Sequence, residues 1–501
     1  MSSMSNSIFN LPSEMKGCRI HFVGIKGTGM VALVEILKTR GAVITGSDVS
    51  ERFYTDEILD KLGITAKEFS ENNVTDGVQC VIYSSAYNPQ KNPDLRKATE
   101  LGIPMMLYTE ALGAVSRTAF SCGVCGVHGK TTTTGLTGTL LKKLPLNSQI
   151  LAGSIISSFG NSCTLTNMNE GKNYFVAETC EYQRHFMAFS PKKIILTSVE
   201  SDHQDYYPTF EDIQRAFVDY ACLLPEHGQL IYCADDKGAV ETAKIAKEKR
   251  PDVSLIPYGI NADGDYKLTL GDISRGRQNF NIRLAGDFIL AIPGLHNARN
   301  SCAAVALCCE LLKEENLDPR DYFGKLKEGL LEFRGGKRRS EIIGRVRNST
   351  GTEIIVLDDY GHHPTAIKTT LEGYRDFYKG HKIIVDFMSH TYTRTAALLE
   401  EFASSFGSAD VVILNKIYGS ARENAEAANV TGETLASHAK KYHDNVIYAG
   451  EFDEAAAKAI ELLKQPLDAR YPDGYLFVTM GAGDNWKVGK KVIDEFSSSW
   501  S

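Results

Sequence analysis

A run of glycine, lysine and threonine at residues 126–132, GVHGKTT, contains the residue types that bind phosphate groups. It follows a strand-like stretch and precedes a helix-like one, so its backbone amides and the helix N-terminus can converge on an anion. The general P-loop pattern also requires a glycine where this chain has Val124, so the match is partial. We expect the ammonium group of Lys130 to lie on an exposed loop, outside the core.

Acidic and imidazole side chains follow two later strand-like stretches of the same block. Glu178 ends YFVAE, and Glu200, Asp202 and His203 follow KIILTSV. Open α/β sheets usually bind ligands at the carboxyl ends of their strands. ATP chemistry needs a lysine for the phosphate charge, and a threonine hydroxyl and a carboxylate for Mg²⁺. Each side chain alone would be an ordinary polar residue at a strand end, but together with the lysine loop they predict a site for a magnesium nucleotide.

A second glycine loop, FVGIKGTGM, lies at residues 22–30. It contains Gly24, Gly27 and Gly29, and Asp48 lies 19 residues beyond Gly29. In nicotinamide dinucleotide folds an acidic residue near that distance binds a ribose hydroxyl. The spacing is GxxGxG rather than GxGxxG, so two alternatives stay open: a strand-to-helix turn without a ligand, and a site for the diphosphate of another nucleotide.

Three further polar clusters lie at predicted element boundaries. They are His296, Asn297 and Asn300 in PGLHNARNS, Lys337, Arg338 and Arg339 in FRGGKRRS, and Asp358, Asp359, His362 and His363 in DDYGHHPT. The asparagines of the first cluster either contact an adenine or cap a helix. The basic cluster is either a solvated linker or a clamp on phosphate charge. For the third we favour substrate or nucleotide contact over metal binding, because adjacent side chains rarely converge on one ion.

The composition is that of an ordinary globular protein. The 501 residues are 43% hydrophobic and 23% charged, enough for about two to four domains. The 55 basic and 62 acidic residues argue against a nucleic-acid or membrane-surface partner. Eleven scattered cysteines predict neither a disulfide framework nor a zinc site and fit a reducing compartment. The N-terminus lacks an export signal and no apolar run of about 18 residues occurs, so we expect a cytoplasmic protein without membrane insertion.

Alternating strand and helix patterns divide the chain into three α/β blocks. The predicted strands are CRIHFVG, AVITGSD and VQCVIYSSA in the first block, YFVAET and KIILTSV in the second, and EIIVLDD, KIIVDFM, DVVILNK and GYLFVTM in the third. Helix patterns lie between them, including MVALVEILKTRG, SCAAVALCCELLKE and a segment that begins near Pro364. This alternation predicts parallel sheets flanked by helices, and therefore an α/β fold class.

A series of motifs resembles the Mur ligases in content and order from about Arg19 to Lys487. The motifs are GIKGTGM, SSAYNP, GVHGKTTTTG, ETCEY, SVESDHQDYY, PGLHNARN, FRGGKRR, DDYGHHPT, HTYTRT and GAGDNW. The resemblance implies that ATP drives the joining of L-alanine to the lactyl carboxylate of UDP-N-acetylmuramate, through an acyl-phosphate, in peptidoglycan precursor synthesis. It also implies a Rossmann-like domain for the UDP-sugar (1–118), a central P-loop ATPase domain (119–337) and a Rossmann-like C-terminal domain that brings the amino acid (338–501).

The same resemblance implies roles for individual residues. The implied ATP-binding residues are Gly126, Val127, His128, Gly129, Lys130, Thr131, Thr132, His296, Asn297, Asn300, Arg338 and Asp359. The implied UDP-sugar-binding residues are Gly24, Lys26, Gly27, Thr28, Gly29, Met30, Asp48, Ser84 and Ser85. The implied Mg²⁺ ligands are Thr131, Glu178 and His203. The implied catalytic residues are Lys130, His203, Arg338, His363 and Arg394, with His363, His390 and Arg394 near the amino acid.

The chain departs from the usual family pattern in several places. Lys26 replaces a glycine, Val127 replaces a threonine and Ser198 replaces an asparagine. We expect Lys26 to alter the UDP pocket, whereas the other two changes touch the ATP site without removing a ligand. Some members carry a carbamylated lysine after the DH pair, but the stretch FEDIQRAFVDYACLLP contains no lysine.

Three alternative functions remain. A nicotinamide oxidoreductase explains the first glycine loop but gives Lys130, Glu178 and His203 no role. A non-catalytic nucleotide-binding protein explains the loops only as parts of the fold. The nearest alternative is a ligase that recycles a murein tripeptide onto UDP-N-acetylmuramate, whose members tend to read DDFAHHP where this chain reads DDYGHHP. We expect a monomer or a weak homodimer.

Overall fold

The computed structural model describes residues 11, 15–274, 276–419 and 429–498. The chain forms two compact units. The first contains the residues up to 199 together with 214–258 and 303–329, and the second contains 200–213, 259–302 and the residues from 330 onward. A compact unit can hold more than one domain, so the domain boundaries inferred from the sequence remain a prediction.

The N-terminal region of the first unit alternates strands with helices. Its elements are β1 (Arg19–Val23), α1 (Thr28–Thr39), β2 (Val43–Ser47), α2 (Asp56–Lys61), β3 (Cys80–Tyr83), α3 (Pro93–Glu100), β4 (Met105–Leu107) and α4 (Tyr108–Arg117). The strands pair in parallel in the order β2-β1-β3-β4. This confirms the parallel sheet predicted for the first block and places its glycine loop at the carboxyl end of β1.

The central region is built on a larger sheet. Its elements are β5 (Phe120–Cys125), α5 (Lys130–Leu141), β6 (Ser148–Ile156), β7 (Ser162–Asn167), β8 (Tyr174–Glu178), β9 (Lys193–Leu196), α6 (Phe210–Ala221), β10 (Gln229–Cys233), α7 (Lys237–Lys249) and β11 (Ser254–Tyr258). The strand order is β11-β10-β9-β5-β8-β6-β7. Only β7 runs antiparallel to its neighbour among these described strands. The lysine loop and Glu178 therefore lie at the carboxyl ends of the adjacent strands β5 and β8.

The rest of the described chain contains two more sheets. Its elements are β12 (Leu268–Ser274), β13 (Arg277–Ile282), β14 (Gly286–Leu290), α8 (Leu295–Glu314), α9 (Phe323–Glu332), β15 (Glu341–Arg347), β16 (Glu353–Asp359), α10 (Pro364–Phe377), β17 (His381–Phe387), α11 (Tyr392–Ala397), α12 (Leu399–Ala403), β18 (Val411–Leu414), α13 (Gly432–Ala439), β19 (Val446–Tyr448), α14 (Phe452–Leu463), β20 (Gly474–Met480) and α15 (Trp486–Ser498). Strands β12, β13 and β14 form an antiparallel sheet. The other strands have the order β15-β16-β20-β17-β18-β19 and are parallel except for β15.

The larger sheet of the second unit is buried on both faces. Ile355 and Leu357 of β16 pack into one apolar cluster, and Ile354 and Val356 pack into the opposite one. A strand covered on both faces needs an unbroken apolar run, which explains the sequence EIIVL. None of the helices within the described residues has the length and apolar character that a membrane crossing needs.

Candidate active site

The first glycine loop turns tightly between β1 and α1. Gly24 has a φ of +83°, and a Cβ at this position would lie 2.6 Å from the ring of Tyr87. A Cβ on Gly29 would lie 2.9 Å from the ring of Tyr108. Gly24 is required by its left-handed backbone and by the nearby ring, and Gly29 is required by the nearby ring alone.

Asp48 is buried beside this loop and is bonded within the protein. Its Oδ2 accepts a hydrogen bond of 2.7 Å from the Lys26 N–H, and its Oδ1 accepts one of 2.9 Å from the Tyr87 hydroxyl. Burial and the Asp48 carboxylate raise the pKa of Tyr87 to about 12, so the hydroxyl remains a donor at neutral pH. Asp48 thus orders the loop through direct bonds.

The Lys26 side chain holds the segment that follows β2. It is 8% exposed, and its ammonium donates to the carbonyls of Val49 (2.9 Å) and Glu51 (2.7 Å). The Asp56 carboxylate lies 3.4 Å from the same nitrogen. A direct contact of this ammonium with a substrate would require these bonds to break.

A pocket of about 380 Å³ lies in the first unit. Cavities of this size bind small molecules. The predicted site residues in its lining are Gly27, Thr28, Gly29, Met30, Ser84, Ser85 and Glu178. The pocket therefore brings most of the predicted UDP-sugar residues together with one predicted Mg²⁺ ligand, whereas Gly24, Lys26 and Asp48 lie outside its lining.

The lysine loop joins β5 to α5 through two glycines with positive φ. Gly126 has a φ of +134°, and a Cβ there would lie 2.1 Å from Thr197 Oγ1. Gly129 has a φ of +82° and directly precedes Lys130, the first residue of α5. The turn thus places the following amides at the start of a helix, the arrangement that binds phosphate groups.

Ser198, one of the departures from the family pattern, anchors this loop. Its hydroxyl accepts a hydrogen bond of 2.9 Å from the His128 N–H. Its carbonyl accepts one of 3.0 Å from the Val127 N–H. The serine that stands where the family pattern has asparagine therefore contacts the lysine loop through two hydrogen bonds.

The surroundings of Lys130 differ from the expectation of an exposed charge. Its side chain is 14% exposed, and its ammonium lies 2.8 Å from the Glu181 carboxylate, which is 2% exposed. It also donates to the Gly126 carbonyl at 2.6 Å. Burial opposes the charge of Lys130, but Glu181 outweighs it, so the pKa of the lysine is raised. The expectation was wrong because a partner 51 residues away encloses the ammonium.

Two predicted Mg²⁺ ligands belong to the first unit. Glu178 lines the pocket, and its Oε2 accepts a hydrogen bond of 2.8 Å from the Gly153 N–H. Thr131 is buried in the first turn of α5, and Thr132 follows it. Carboxylate and hydroxyl oxygens are ligands that suit Mg²⁺, so the residue types fit this ion.

In the second unit, Arg394 of α11 forms a buried ion pair with Asp202. The guanidinium donates from Nε (3.0 Å) and Nη2 (2.8 Å) to Asp202 Oδ1. Burial raises the pKa of Asp202, but Arg394 more than offsets this effect and holds the pKa well below its usual value. Arg394 Nη1 is buried without a hydrogen-bond partner among the described residues. The site therefore contains a fixed cation with one remaining donor group.

The neighbouring histidines are close to this ion pair. His203 has a φ of +55°, and its N–H donates to Asp202 Oδ1 at 2.7 Å. His362 Nδ1 lies 2.9 Å from the Tyr360 carbonyl oxygen. Because a carbonyl oxygen can only accept, the imidazole is the donor of this hydrogen bond. Burial, reinforced by Arg394, holds the pKa of His362 well below its usual value, so the ring is neutral. His390 lies with its ring centroid 6.3 Å from that of His362.

His363 is the residue that precedes α10. Its Nδ1 accepts a hydrogen bond of 3.3 Å from the Thr365 N–H, and Glu200 Oε2 lies 3.9 Å from the same nitrogen. The Thr365 hydroxyl donates to that Glu200 oxygen at 2.8 Å. His363 therefore caps a helix in addition to the catalytic role predicted for it.

Arg338 is bound to the carboxyl ends of β16 and β20. Its Nε donates to Asp358 Oδ2 at 2.7 Å, and its other nitrogens donate to the carbonyls of Gly481 (2.8 Å) and Gly483 (3.0 Å). The family resemblance implies ATP contact for Arg338, but the sequence gives no sign of these partners. The guanidinium is held rigidly by three groups of its own unit.

Asp359 is also extensively bonded. Its Oδ2 accepts from the Ser340 N–H (2.7 Å) and the Tyr374 hydroxyl (3.2 Å), and its Oδ1 accepts from the Gly361 N–H (2.8 Å). These bonds fix the turn after β16. The ATP contact predicted for Asp359 remains a prediction.

The polar cluster of PGLHNARNS, predicted to contact the nucleotide base, lies at the start of α8. Asn297 donates from Nδ2 to the Pro293 carbonyl at 2.6 Å, and Asn300 donates to Asn297 Oδ1 at 3.4 Å. Both asparagines are buried, whereas His296 is half-buried. The asparagines therefore stabilise the helix start, and their contact with an adenine stays a prediction.

Two residues outside the predicted site set lie in the first-unit site. Glu181 pairs with Lys130, and His185 lines the pocket. Both stand within ETCEYQRHF, directly after Glu178. The many polar residues that follow this strand could have indicated a functional role for Glu181 and His185. A turn exposed to solvent has the same composition, so the sequence alone did not place them in the site.

Comparison with known families agrees with this arrangement. The model described as "Mur ligase family, catalytic domain" matches residues 19–119, the Mur ligase middle domain matches 124–308, and "Mur ligase, glutamate ligase domain" matches 338–483. The chain belongs to the Mur ligase family.

Individual members of the family are similar to this chain over nearly its whole length. A UDP-N-acetylmuramate–L-alanine ligase of Treponema pallidum is 47% identical over 489 residues, which are 97% of this chain and 98% of the relative. The crystal structure of a UDP-N-acetylmuramate–alanine ligase from Thermotoga maritima aligns with a TM-score of 0.72 and 24% identity, covering 96% of this chain and 99% of that one. A murein peptide ligase from Psychrobacter arcticus aligns with a TM-score of 0.64 and 20% identity, covering 96% and 99%. The two structures share the fold of this chain, so the fold alone does not distinguish these ligases.

Proposed function

We propose that this protein uses ATP to join L-alanine to the lactyl carboxylate of UDP-N-acetylmuramate, giving ADP and phosphate, in peptidoglycan precursor synthesis. The reaction thereby serves cell wall biogenesis, cell shape and cell division. The observation that carries the proposal is the pocket of the first unit, whose lining joins the glycine loop to Glu178. The preference for L-alanine is supported by the 47% identical relative that bears this activity in its name.

The first chemical step brings together two negatively charged groups. A lactyl carboxylate oxygen attacks the γ-phosphorus of ATP, the bond to ADP breaks, and an acyl-phosphate forms. In our proposal the loop 126–132 binds the phosphates, and Lys130 exchanges its contact with Glu181 for a phosphate oxygen. The UDP part is held by the first glycine loop, which leaves the lactyl end toward Glu178 in the same pocket.

Mg²⁺ is the proposed metal cofactor. We assign Thr131 and Glu178 to one ion and His203 to a second, and bound Mg²⁺ would lower the charge repulsion between the carboxylate and the triphosphate. The remaining predicted ATP contacts, from His296, Asn297, Asn300, Arg338 and Asp359, are part of the same proposal.

The second step is the attack of an amine. The neutral amine of L-alanine adds to the acyl-phosphate carbonyl and the nitrogen loses one proton to solvent or to the departing phosphate. Collapse of the tetrahedral intermediate breaks the carbon–oxygen bond to phosphate and forms the amide. We assign the alanine carboxylate to Arg394, whose buried Nη1 has no other described partner. Asp202 holds that guanidinium through two hydrogen bonds, so its direction is fixed before the amino acid binds. His363, whose charge also acts on Asp202, is a further proposed catalytic residue near the Arg394–Asp202 ion pair.

The proposal extends to organisation and location. We propose domains at 1–118, 119–337 and 338–501, a cytoplasmic enzyme, and a monomer or weak homodimer. The cytoplasmic location is supported by the eleven cysteines, all of which are free thiols as a reducing compartment requires.

A parallel substrate assay tests the function. Purified protein is given Mg²⁺, ATP and UDP-N-acetylmuramate, with either L-alanine or an L-Ala-D-Glu-diamino-acid tripeptide, and ADP release and the UDP-linked product are measured. The proposal predicts turnover with L-alanine and little with the tripeptide, and none with Lys130→Ala protein. Turnover with the tripeptide alone would identify a recycling ligase instead.

A further inference from the structure

His185 lies in the pocket of the first unit because the preceding backbone is unusual. A 3₁₀ segment spans Tyr182–Ala188, and within it Gln183 and Arg184 have φ values of 51° and 59°. Consecutive non-glycine residues in the left-handed region are uncommon. Such conformations persist only where the surrounding structure holds them, and they concentrate at functional sites.

Several contacts hold this segment in place. Arg184 forms an ion pair of 2.7 Å with Asp219, and its backbone N–H donates to the Glu181 carbonyl at 2.9 Å. Phe186 is buried and stacks on Tyr220 with a centroid separation of 4.4 Å. His185 stands between these two anchored residues and is part of the pocket lining. The fold therefore fixes His185 at the pocket from both sides.

The chemistry of the lining gives His185 a specific task. Glu178 adds negative charge to this pocket, while Thr28, Ser84 and Ser85 add hydroxyl groups. His185 is the only described residue of the lining whose side chain can become a cation. The Lys130 ammonium is already paired with the Glu181 carboxylate. A carboxylate placed beside Glu178 needs a hydrogen-bond donor, and an imidazole N–H is one in either protonation state.

We propose that His185 donates a hydrogen bond to the lactyl carboxylate of UDP-N-acetylmuramate and so distinguishes this substrate from UDP-sugars without that group. The inference rests on the proposed function. It makes His185 a substrate-positioning residue that binds the reacting group, while the glycine loop binds the diphosphate that all UDP-sugars share.

Binding measurements without ATP test the assignment. The affinities of wild type, His185→Ala and His185→Gln for UDP-N-acetylmuramate and for UDP-N-acetylglucosamine are compared by calorimetry. Loss of a hydrogen bond to a charged group corresponds to about a 10- to 100-fold loss of affinity. We expect His185→Ala to show this loss for UDP-N-acetylmuramate only, and His185→Gln, which keeps a donor, to lose less.

The controls separate the possible failures. His227→Gln changes a histidine with 83% exposure in the same unit and is expected to bind both ligands like wild type. Equal weakening of both UDP-sugars by His185→Ala would indicate a structural role and overturn the inference, as would unchanged affinity for both. If wild type binds UDP-N-acetylmuramate no better than UDP-N-acetylglucosamine, the inference is wrong even if the ligase reaction occurs. If wild type binds neither, the proposed function itself is wrong.

Discussion

Replacement of Lys130 by methionine is expected to reduce stability as well as activity. At the 2.8 Å separation from Glu181, two unit charges attract by about 6 kcal/mol at an effective dielectric constant of about 20. The loss of hydration offsets much of this attraction, and removal of one partner of a buried pair costs about 3 kcal/mol. In a unit of this size that loss lowers the unfolding midpoint by about 5 °C. Lys130→Met leaves the Glu181 carboxylate buried without this cation.

A double-mutant cycle measures the coupling. Thermal unfolding by circular dichroism is followed for Lys130→Met, Glu181→Gln and the double variant, and ADP release is measured for each. The double variant should regain most of the stability lost in Lys130→Met but none of the activity, because the amide needs no cation whereas the phosphates do. Lys97→Met, which breaks an exposed pair with Glu100, should change the stability by less than about 1 kcal/mol. A Lys130→Met protein with a wild-type midpoint would refute the stability argument, and one with wild-type turnover would refute the phosphate-binding role.

Three further predictions concern other parts of the molecule. Glu178→Gln should raise the Mg²⁺ concentration needed for half-maximal activity more than it weakens UDP-N-acetylmuramate binding, and overlapping Mg²⁺ titrations of the variant and wild type would contradict the ligand assignment. Arg394→Lys should raise the KM for L-alanine by about tenfold or more, because lysine loses the planar donor pair, and a larger effect on the KM for ATP would contradict the carboxylate role. Burial raises the pKa of Asp386 to about 7, so the folded protein holds a proton that the unfolded chain releases near pH 4, and stability should fall as the pH rises from about 4 to 7. Asp386→Asn should reduce this slope in unfolding measurements between pH 4 and 8, and an unchanged slope would show that other groups cause it.

The parallel sheets were predictable because their strands are buried on both faces. EIIVLDD and GYLFVTM coincide with β16 and β20 as the structure has them. The apolar residues of β16 pack into the cores on both sides of the sheet. Such a strand appears in the sequence as a short unbroken apolar run, which is recognisable without any structure. Because parallel strands have their carboxyl ends at the same edge of a sheet, the polar residues that follow these strands were expected at that edge.

Two antiparallel strands, β12 and β15, were absent from the predicted elements for a related reason. β12 buries Leu268 but exposes or half-exposes its other six residues, so it shows no regular alternation. β15, with the sequence EIIGRVR, has no fully buried residue. Strands stabilised by pairing rather than by burial leave little trace in the hydrophobic pattern.

The partners of charged side chains could not be predicted from local patterns. Arg338 binds carbonyls that lie 143 and 145 residues further along the chain. The sequence implies that Lys26 alters the UDP pocket but gives no sign that its ammonium donates to the carbonyls of Val49 and Glu51. Residue type and spacing indicated which groups the site contains, while the partners of each group depend on how the chain folds.

Transfer of oxygen from the substrate to phosphate tests the central claim most directly. UDP-N-acetylmuramate labelled with ¹⁸O in both oxygens of its lactyl carboxylate is incubated with the protein, Mg²⁺, ATP and L-alanine, and the products are analysed by mass spectrometry. The proposed acyl-phosphate route predicts one ¹⁸O atom in each phosphate released and UDP-N-acetylmuramoyl-L-alanine in equal amount. Amide formation with unlabelled phosphate would contradict the acyl-phosphate, and phosphate release without the amide would contradict the ligase activity.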